Sequence, residues 1–339
     1  MAVISCALAL LSGVIGAGFA SGREITRFFA GHGAASGAAI VCALATLSAL
    51  FLRLSAQLER AQSPSFSALC SARFGHALGR LTSVLFLLLM GTTGGAMLAA
   101  CAELAALTVP VSHAYALGLA LSLLLGAALA CAGLGGLALP GAALLVLLPV
   151  LLVRLLRLPA GEACFLPAMS PDLPVRAAAD GAIYGALNAA MLSGAMPMLL
   201  ALPSRARRRA VWLFAALFGA LLVLGCAVCR RHLPAVWNQP MPFVALGRAL
   251  GSGGYLLLAA CLYAAALSTL SAMLAGLIRL LPFGPGASAA CACLLCTLLA
   301  RAGFGPIVSS GYPVLGALCA GLMLLLCLPA GSWRQSVKR

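Results

Sequence analysis

Apolar residues fill this chain in long continuous blocks, separated by short and mostly basic connections. At a rise of about 1.5 Å per residue, blocks of this length cross a hydrocarbon core of ~30 Å as helices. Ten spans are predicted, near 3–31, 35–58, 80–108, 113–132, 138–158, 174–202, 209–229, 253–281, 286–301 and 306–329. A further amphipathic helix is predicted in the 237–250 connection, where Trp237, Val244, Leu246 and Leu250 alternate with polar or small residues. The runs are continuous and not alternating, so helices are expected and a transmembrane barrel is not.

Composition strengthens this picture. Of the 339 residues, 63% are hydrophobic and only 8% charged, against roughly a quarter charged in a soluble domain. So few charges cannot cover the surface of a soluble protein of this size. A soluble enzyme, a nucleic-acid binder and a disordered protein are excluded. The net charge of +15 does not point to nucleic acid, because the arginines sit between apolar runs. There they orient the helices and meet anionic lipid headgroups. The chain starts apolar without a basic leader, so 3–31 is expected to be a retained helix and not a signal peptide.

Orientation follows the basic residues. With the N-terminus inside, the inner connections and tail carry Arg53, Arg60, Arg73, Arg80, the Arg205–Arg209 run, Arg279, Arg334, Lys338 and Arg339. The outer side takes fewer: Arg23, Arg27, Arg154, Arg157, Arg176, Arg230, Arg231, Arg248 and Arg301. Both termini are therefore expected in the cytoplasm. Cysteine suggests no disulfide framework, since most of the fourteen lie in apolar runs, as Cys42, Cys101, Cys131, Cys261, Cys319 and Cys327 do. Cys226, Cys229 and His232, and separately Cys291, Cys293 and Cys296, lack a second ligand pair at zinc spacing. No cofactor is expected beyond a coupling ion, Na⁺ or H⁺.

Two spans are interrupted. The first breaks across Gly13–Gly22, and the sixth at Asn188, Ser193-Gly194 and Pro197. Each opens a set of five spans, and an odd number inverts the second set relative to the first. Interrupted spans at matching positions of inverted halves point to a secondary transporter. One transmembrane domain is expected, with repeats at 1–165 and 166–332 and a cytoplasmic tail at 333–339.

Gly16-Ala-Gly-Phe-Ala-Ser-Gly-Arg-Glu-Ile25, followed by Phe28-Phe29, resembles the first helix of YkvI-like membrane proteins. Those are similar to the amino acid–polyamine–organocation transporters, with the LeuT-type five-plus-five inverted repeat. Tyr184–Asn188 looks like that family's sixth-helix break, and Gly311-Tyr-Pro-Val-Leu-Gly316 resembles its tenth helix. The resemblance implies an all-α transporter fold with helices 1 and 6 broken, in the bacterial cytoplasmic membrane.

The first break supplies the expected substrate site, Gly16, Ala17, Gly18 and Phe19. An unwound segment leaves backbone N–H groups without helical partners, and a half-helix starting near Ala20 would aim its positive end at a carboxylate. Related transporters hold an amino-acid carboxylate this way. The alternative is a small-residue packing face, Gly13/Ala17 or Gly18/Gly22. Tyr184, Asn188 and Ser193 would form the opposite wall, with a helix cap as the alternative role for Asn188.

On the eighth span, Ala265, Ser268 and Thr269 share one face. Their oxygens, with carbonyls near Ser12 and Ile15, would hold Na⁺, as in the sodium-coupled relatives. Bonding of the two hydroxyls to their own helix is the alternative. Glu24 is the candidate for proton coupling, lining the outer mouth with Arg23, or else pairing with Arg27. Glu103 and Asp180 are expected to snorkel to the interface. Thr92-Thr93-Gly94-Gly95 suits either close helix approach or room for cargo.

The expected function is alternating-access transport of an amino acid or similar zwitterion, coupled to Na⁺ in preference to H⁺. The alternative is a transporter-like channel or sensor. An intramembrane enzyme is not expected. No histidine stands at catalytic spacing from an acid, and neither Gly-x-Ser-x-Gly nor HExxH occurs.

Overall fold

A computed structural model describes residues 2–61, 66–132, 138–159, 173–192 and 196–327. Among them every regular element is a helix. The first apolar block forms three short helices, α1 (Ala2–Val14), α2 (Ala17–Ala20) and α3 (Arg23–Phe28), followed by a 3₁₀ segment over Ala30–Ala35. Then come α4 (Ser36–Ala61), α5 (Phe66–Phe74), α6 (His76–Thr108), α7 (Ala114–Ala132) and α8 (Ala138–Leu156). The second half runs through α9 (Leu173–Met191), α10 (Met196–Leu200), α11 (Ser204–Arg231), α12 (Leu233–Val236) and α13 (Pro242–Gly247). It continues with α14 (Gly251–Leu280), α15 (Pro285–Ala300) and α16 (Phe304–Pro306), then a π-helical turn over Ile307–Gly311 and α17 (Tyr312–Cys327).

Six helical stretches are long and apolar enough to cross a membrane: Ala30–Arg60, His76–Thr108, Ala114–Ala132, Ser204–Arg231, Pro242–Leu280 and Phe304–Cys327. Large apolar side chains point out of the bundle along them, as at Leu88, Leu121, Leu124, Val223, Leu318 and Leu324. In water such exposure would be costly, so the outer face fits an integral membrane protein.

The 33-residue α6 is about 50 Å long and forms the central column. It packs on α5, α7, α14 and α15. On the other side α9 lies along α4, and α1 lies along α11. Small residues allow these approaches. A Cβ on Gly185 would stand 2.6 Å from the carbonyl oxygen of Ala43 on α4, and one on Gly95 would stand 3.1 Å from the backbone nitrogen of Ala300 on α15. Gly94 likewise leaves room only for the Cys296 side chain. Gly94 and Gly95 therefore serve close helix approach.

The helices lie close to the predicted spans. Three features differ. The 237–250 connection forms one short helix, α13, and a 3₁₀ turn at Arg248–Leu250, with the further short helix α12 ending just before it. Helix α5 was not expected. The tenth apolar block, expected as one span near 306–329, carries a π turn over Ile307–Gly311. Ser193, with the Ser193-Gly194 break, lies outside the described residues, as do Glu162, Asp172 and the 333–339 tail.

Candidate functional site

The first helix breaks twice. Its regular bonding ends after α1, and Gly16 N–H turns back to the carbonyl of Val14 at 2.8 Å. After the single turn of α2, the chain passes through Gly22 at φ 84°, a conformation that glycine adopts without steric cost. A Cβ there would also strike the ring of Phe243. Phe243 N–H donates to the carbonyl of Ser21 at 2.8 Å, tying the second break to α13. The half-helix therefore begins at Arg23, three residues later than expected, and α2 between the breaks is only one turn long.

Glu24, in the first turn of α3, does not line a mouth. It is buried, and the Tyr184 hydroxyl donates to its Oε2 at 2.9 Å. Its carboxylate lies over Gly18, so closely that a Cβ on that residue would overlap it. A carboxylate does sit at the Gly16–Gly18 break, and it belongs to the protein itself. Gly18 and Gly22 face Glu24 and Phe243, and Gly13 faces the side chain of Leu192. The nearest neighbours of all three are side chains.

Tyr184 sits fully buried among Phe28, Phe29 and Phe218, with ring centroids at 5.1, 5.0 and 6.4 Å. Phe19 packs on Phe218 at 5.4 Å. Asn188 is buried, and its Nδ2 donates to the carbonyl of Tyr184 at 2.9 Å. That bond lies within α9 and gives Asn188 a local role in its own helix. From α17, the fully buried Tyr312 comes within electrostatic reach of both Glu24 and Thr93. The hydroxyls of Tyr312 and Thr93 are completely enclosed and stand close enough to share a hydrogen bond with each other.

Of the expected sodium ligands, Thr269 on α14 stands against the first break. α14 packs against α2, and the Thr269 hydroxyl comes within 3.2 Å of where a Cβ on Gly16 would stand. That hydroxyl donates to the carbonyl of Ala265 at 3.0 Å, which leaves its lone pairs available to a cation. Ala265 and Ile15 are buried, whereas Ser12 and Ser268 are half-buried. The donor set is made of oxygens, as a hard cation requires.

The remaining charges do not behave as expected. Arg27 pairs with Asp180 at 3.4 Å and not with Glu24, and its Nε donates to the carbonyl of Ser309 in the π turn. His32 lies 3.1 Å from the same Asp180 oxygen. Asp180 thus holds α3 and the 3₁₀ segment to α9 instead of snorkelling. Glu103 accepts from the backbone N–H of Phe304 at 3.2 Å, at the start of α16. Arg23 is occupied by the carbonyls of Trp237 and Gln239. In the Arg205–Arg209 run, Arg207 is buried and grips Glu59 through two bonds of 2.8 and 3.1 Å. Among the described residues, no group of three His, Cys, Asp or Glu side chains is placed to hold a metal. A cavity of about 340 Å³ lies elsewhere, beside α13, lined among others by Leu107, Met241, Val244 and Arg248.

Sequence reasoning missed Tyr312 as a site residue and had Thr93 only within a segment suited to close helix approach or room for cargo. Tyr312 lies between Pro306 and Pro313 in an otherwise apolar block, which was the available sign of an interrupted helix. No protein-family model matches the chain, and no curated protein matches it as a relative.

Proposed function

We propose that the protein is a cation-coupled secondary transporter of a small polar solute, working by alternating access, with ten spans in a LeuT-type inverted repeat. The observation that carries this reading is the twice-broken first helix with a carboxylate buried beside it. Irregular backbone and an ionisable group at membrane depth are tolerated where they line a pathway.

The packing pattern supports the repeat. Take α1–α3, α4, α6, α7 and α8 as the first five spans, and α9–α10, α11, α14, α15 and α17 as the second. Exchanging the two sets carries the α1–α11 pair onto α9–α4, and α6–α7 onto α14–α15. It carries α7–α14 onto α15–α6, α1–α8 onto α9–α17, and α8–α14 onto α17–α6. Even the short inserted helices correspond: α5 follows the second span, as α12 and α13 follow the seventh. In this reading Na⁺ binds at Ser12, Ile15, Ala265, Ser268 and Thr269. The solute sits at the first break with Tyr184, and both termini are cytoplasmic.

The test is uptake into proteoliposomes. Saturable accumulation of a labelled solute mixture, driven by an imposed Na⁺ or H⁺ gradient, is expected. Flux that only equilibrates would favour a channel, and binding without flux would favour a sensor. For the topology, cysteine labelling of Ala206→Cys in a background without native thiols is expected only from the cytoplasmic side.

A further inference from the structure

The first two turns of α11 hold four arginines, and they divide between two faces. Arg207 turns inward, where it is buried and holds the Glu59 carboxylate and the carbonyl of Leu202. Arg205, Arg208 and Arg209 are exposed. Among the described residues, none of these three forms an ion pair or a side-chain hydrogen bond. The other described acids are engaged elsewhere, Glu24 with Tyr184, Glu103 with Phe304, and Asp180 with Arg27 and His32. Three guanidinium groups therefore stand together on the surface without a counter-charge.

The same face of α11 carries the next two parts of a pattern. Arg205, Arg208, Arg209 and Trp212 are spaced i, i+3, i+4 and i+7, which places them on one side of a helix. Trp212 is 60% exposed. Beyond it the exposed side continues as Ala216, Ala220 and Val223, edged by half-buried Leu213, Leu217 and Leu224. Trp212 and Val223 are eleven positions apart, about 16 Å along the axis. One leaflet of a ~30 Å hydrocarbon core has nearly that depth. Guanidinium forks fit phosphate oxygens through paired N–H donors. A Trp ring settles at the headgroup level, between water and hydrocarbon. An apolar face below it suits an acyl chain. The opposite end of α11 has charge without this order. Arg231 there donates to the carbonyl of Leu158, and no aromatic residue lies between Val223 and Arg230.

We propose that this face of α11 binds an anionic phospholipid, with its phosphate among Arg205, Arg208 and Arg209, its glycerol region at Trp212 and an acyl chain along Ala216 and Ala220. The grip of Arg207 on Glu59 ties the same turn of α11 to α4, so the three outward guanidiniums start from a fixed backbone. In the orientation proposed above they meet the cytoplasmic leaflet, whose anionic lipids attract basic segments. The site depends neither on transport nor on the identity of a solute.

The full-length protein, purified in a neutral detergent, is tested by thermal shift with dioctanoyl phosphatidylglycerol, dioctanoyl phosphatidylcholine and inorganic phosphate. Phosphatidylglycerol is expected to raise the melting temperature saturably, at concentrations where the other two do not. The triple variant Arg205→Gln, Arg208→Gln, Arg209→Gln should weaken phosphatidylglycerol by about tenfold or more. Trp212→Ala should weaken it by a smaller factor and provides the second reading if the triple variant fails to fold. Arg53→Gln with Arg279→Gln removes exposed charge from α4 and α14 and should leave the response unchanged. Equal stabilisation by phosphatidylcholine would show lipid contact without a charge site, and equal stabilisation by phosphate would show a site for a soluble anion; either overturns the proposal. No response to phosphatidylglycerol, or a full response in the triple variant, overturns it as well. So does an equal loss in the Arg53–Arg279 variant, which would trace the effect to overall charge.

Discussion

Gly181 and Gly185 stand one turn apart on α9 and face the backbone of α4, whereas Gly16 and Gly18 flank Ala17 at the first break and face side chains. The Cβ that Gly181 lacks would overlap the carbonyl group of Ala39, and the one missing from Gly185 would press on Ala43 and Leu47. Those neighbours are helix backbone and cannot move aside. At the break, the missing Cβ of Gly16 would meet the Thr269 hydroxyl, and that of Gly18 the Glu24 carboxylate. Those neighbours are side-chain atoms and can move. One glycine pair holds two helices together; the other makes room for polar chemistry. Small residues at helical spacing look alike in a sequence, and only what they face tells them apart.

The largest effect is expected from Gly181→Val. Overpacking against a backbone oxygen should cost about 3 kcal/mol, read as a large drop in melting temperature and loss of the monodisperse peak on gel filtration. A wild-type melt would mean that α9 and α4 are not in backbone contact. Gly18→Val should keep most of the fold and lose at least ~1.4 kcal/mol of solute binding, a tenfold change. Equal losses of stability in the two variants would erase the distinction between the pairs. Tyr184→Phe removes the donor to Glu24 and is expected to cost about 1 kcal/mol; a double-mutant cycle with Glu24→Gln should show that the two losses are coupled. The smallest effect on stability belongs to Ser268→Ala with Thr269→Val, within about 0.5 kcal/mol. Stabilisation by Na⁺ should nevertheless disappear in that variant, and if it persists unchanged the ion sits elsewhere.

The helices were legible because long apolar blocks alternate with short polar connections along the chain. The break at Gly13–Gly22 was legible for a similar reason, since a run of glycines ending in Ser21-Gly22-Arg23-Glu24 cannot continue an apolar helix. The fate of Glu24 was not. A carboxylate at the polar end of such a run reads as interfacial, and only the second turn at Gly22 swings it inward onto Gly18. Arg27 illustrates the same limit. Its neighbour in sequence is Glu24, one turn away, but its partner Asp180 lies 153 positions along the chain. Pairing between positions so far apart in the chain leaves no trace in local spacing. Asn188 was read as substrate ligand or cap, and its bond to Tyr184 favours the local role.

The π turn at Ile307–Gly311 has a consequence for how the tenth block tolerates change in length. Bonding from i to i+5 fits one surplus residue into a turn without adding a turn, so the segments on either side keep the rotational phase of an unbroken α-helix. Phe304 can then meet Glu103 while Tyr312 faces the centre, and the surplus is spent on presenting the Ser309 carbonyl to Arg27. Deleting one residue of this turn should restore ordinary α bonding with both flanking faces still aligned, whereas an insertion there would twist Tyr312 away by about a quarter turn. Length variation at this place is therefore lopsided: a shortening costs the latch to Arg27 alone, and a lengthening costs the floor of the polar centre.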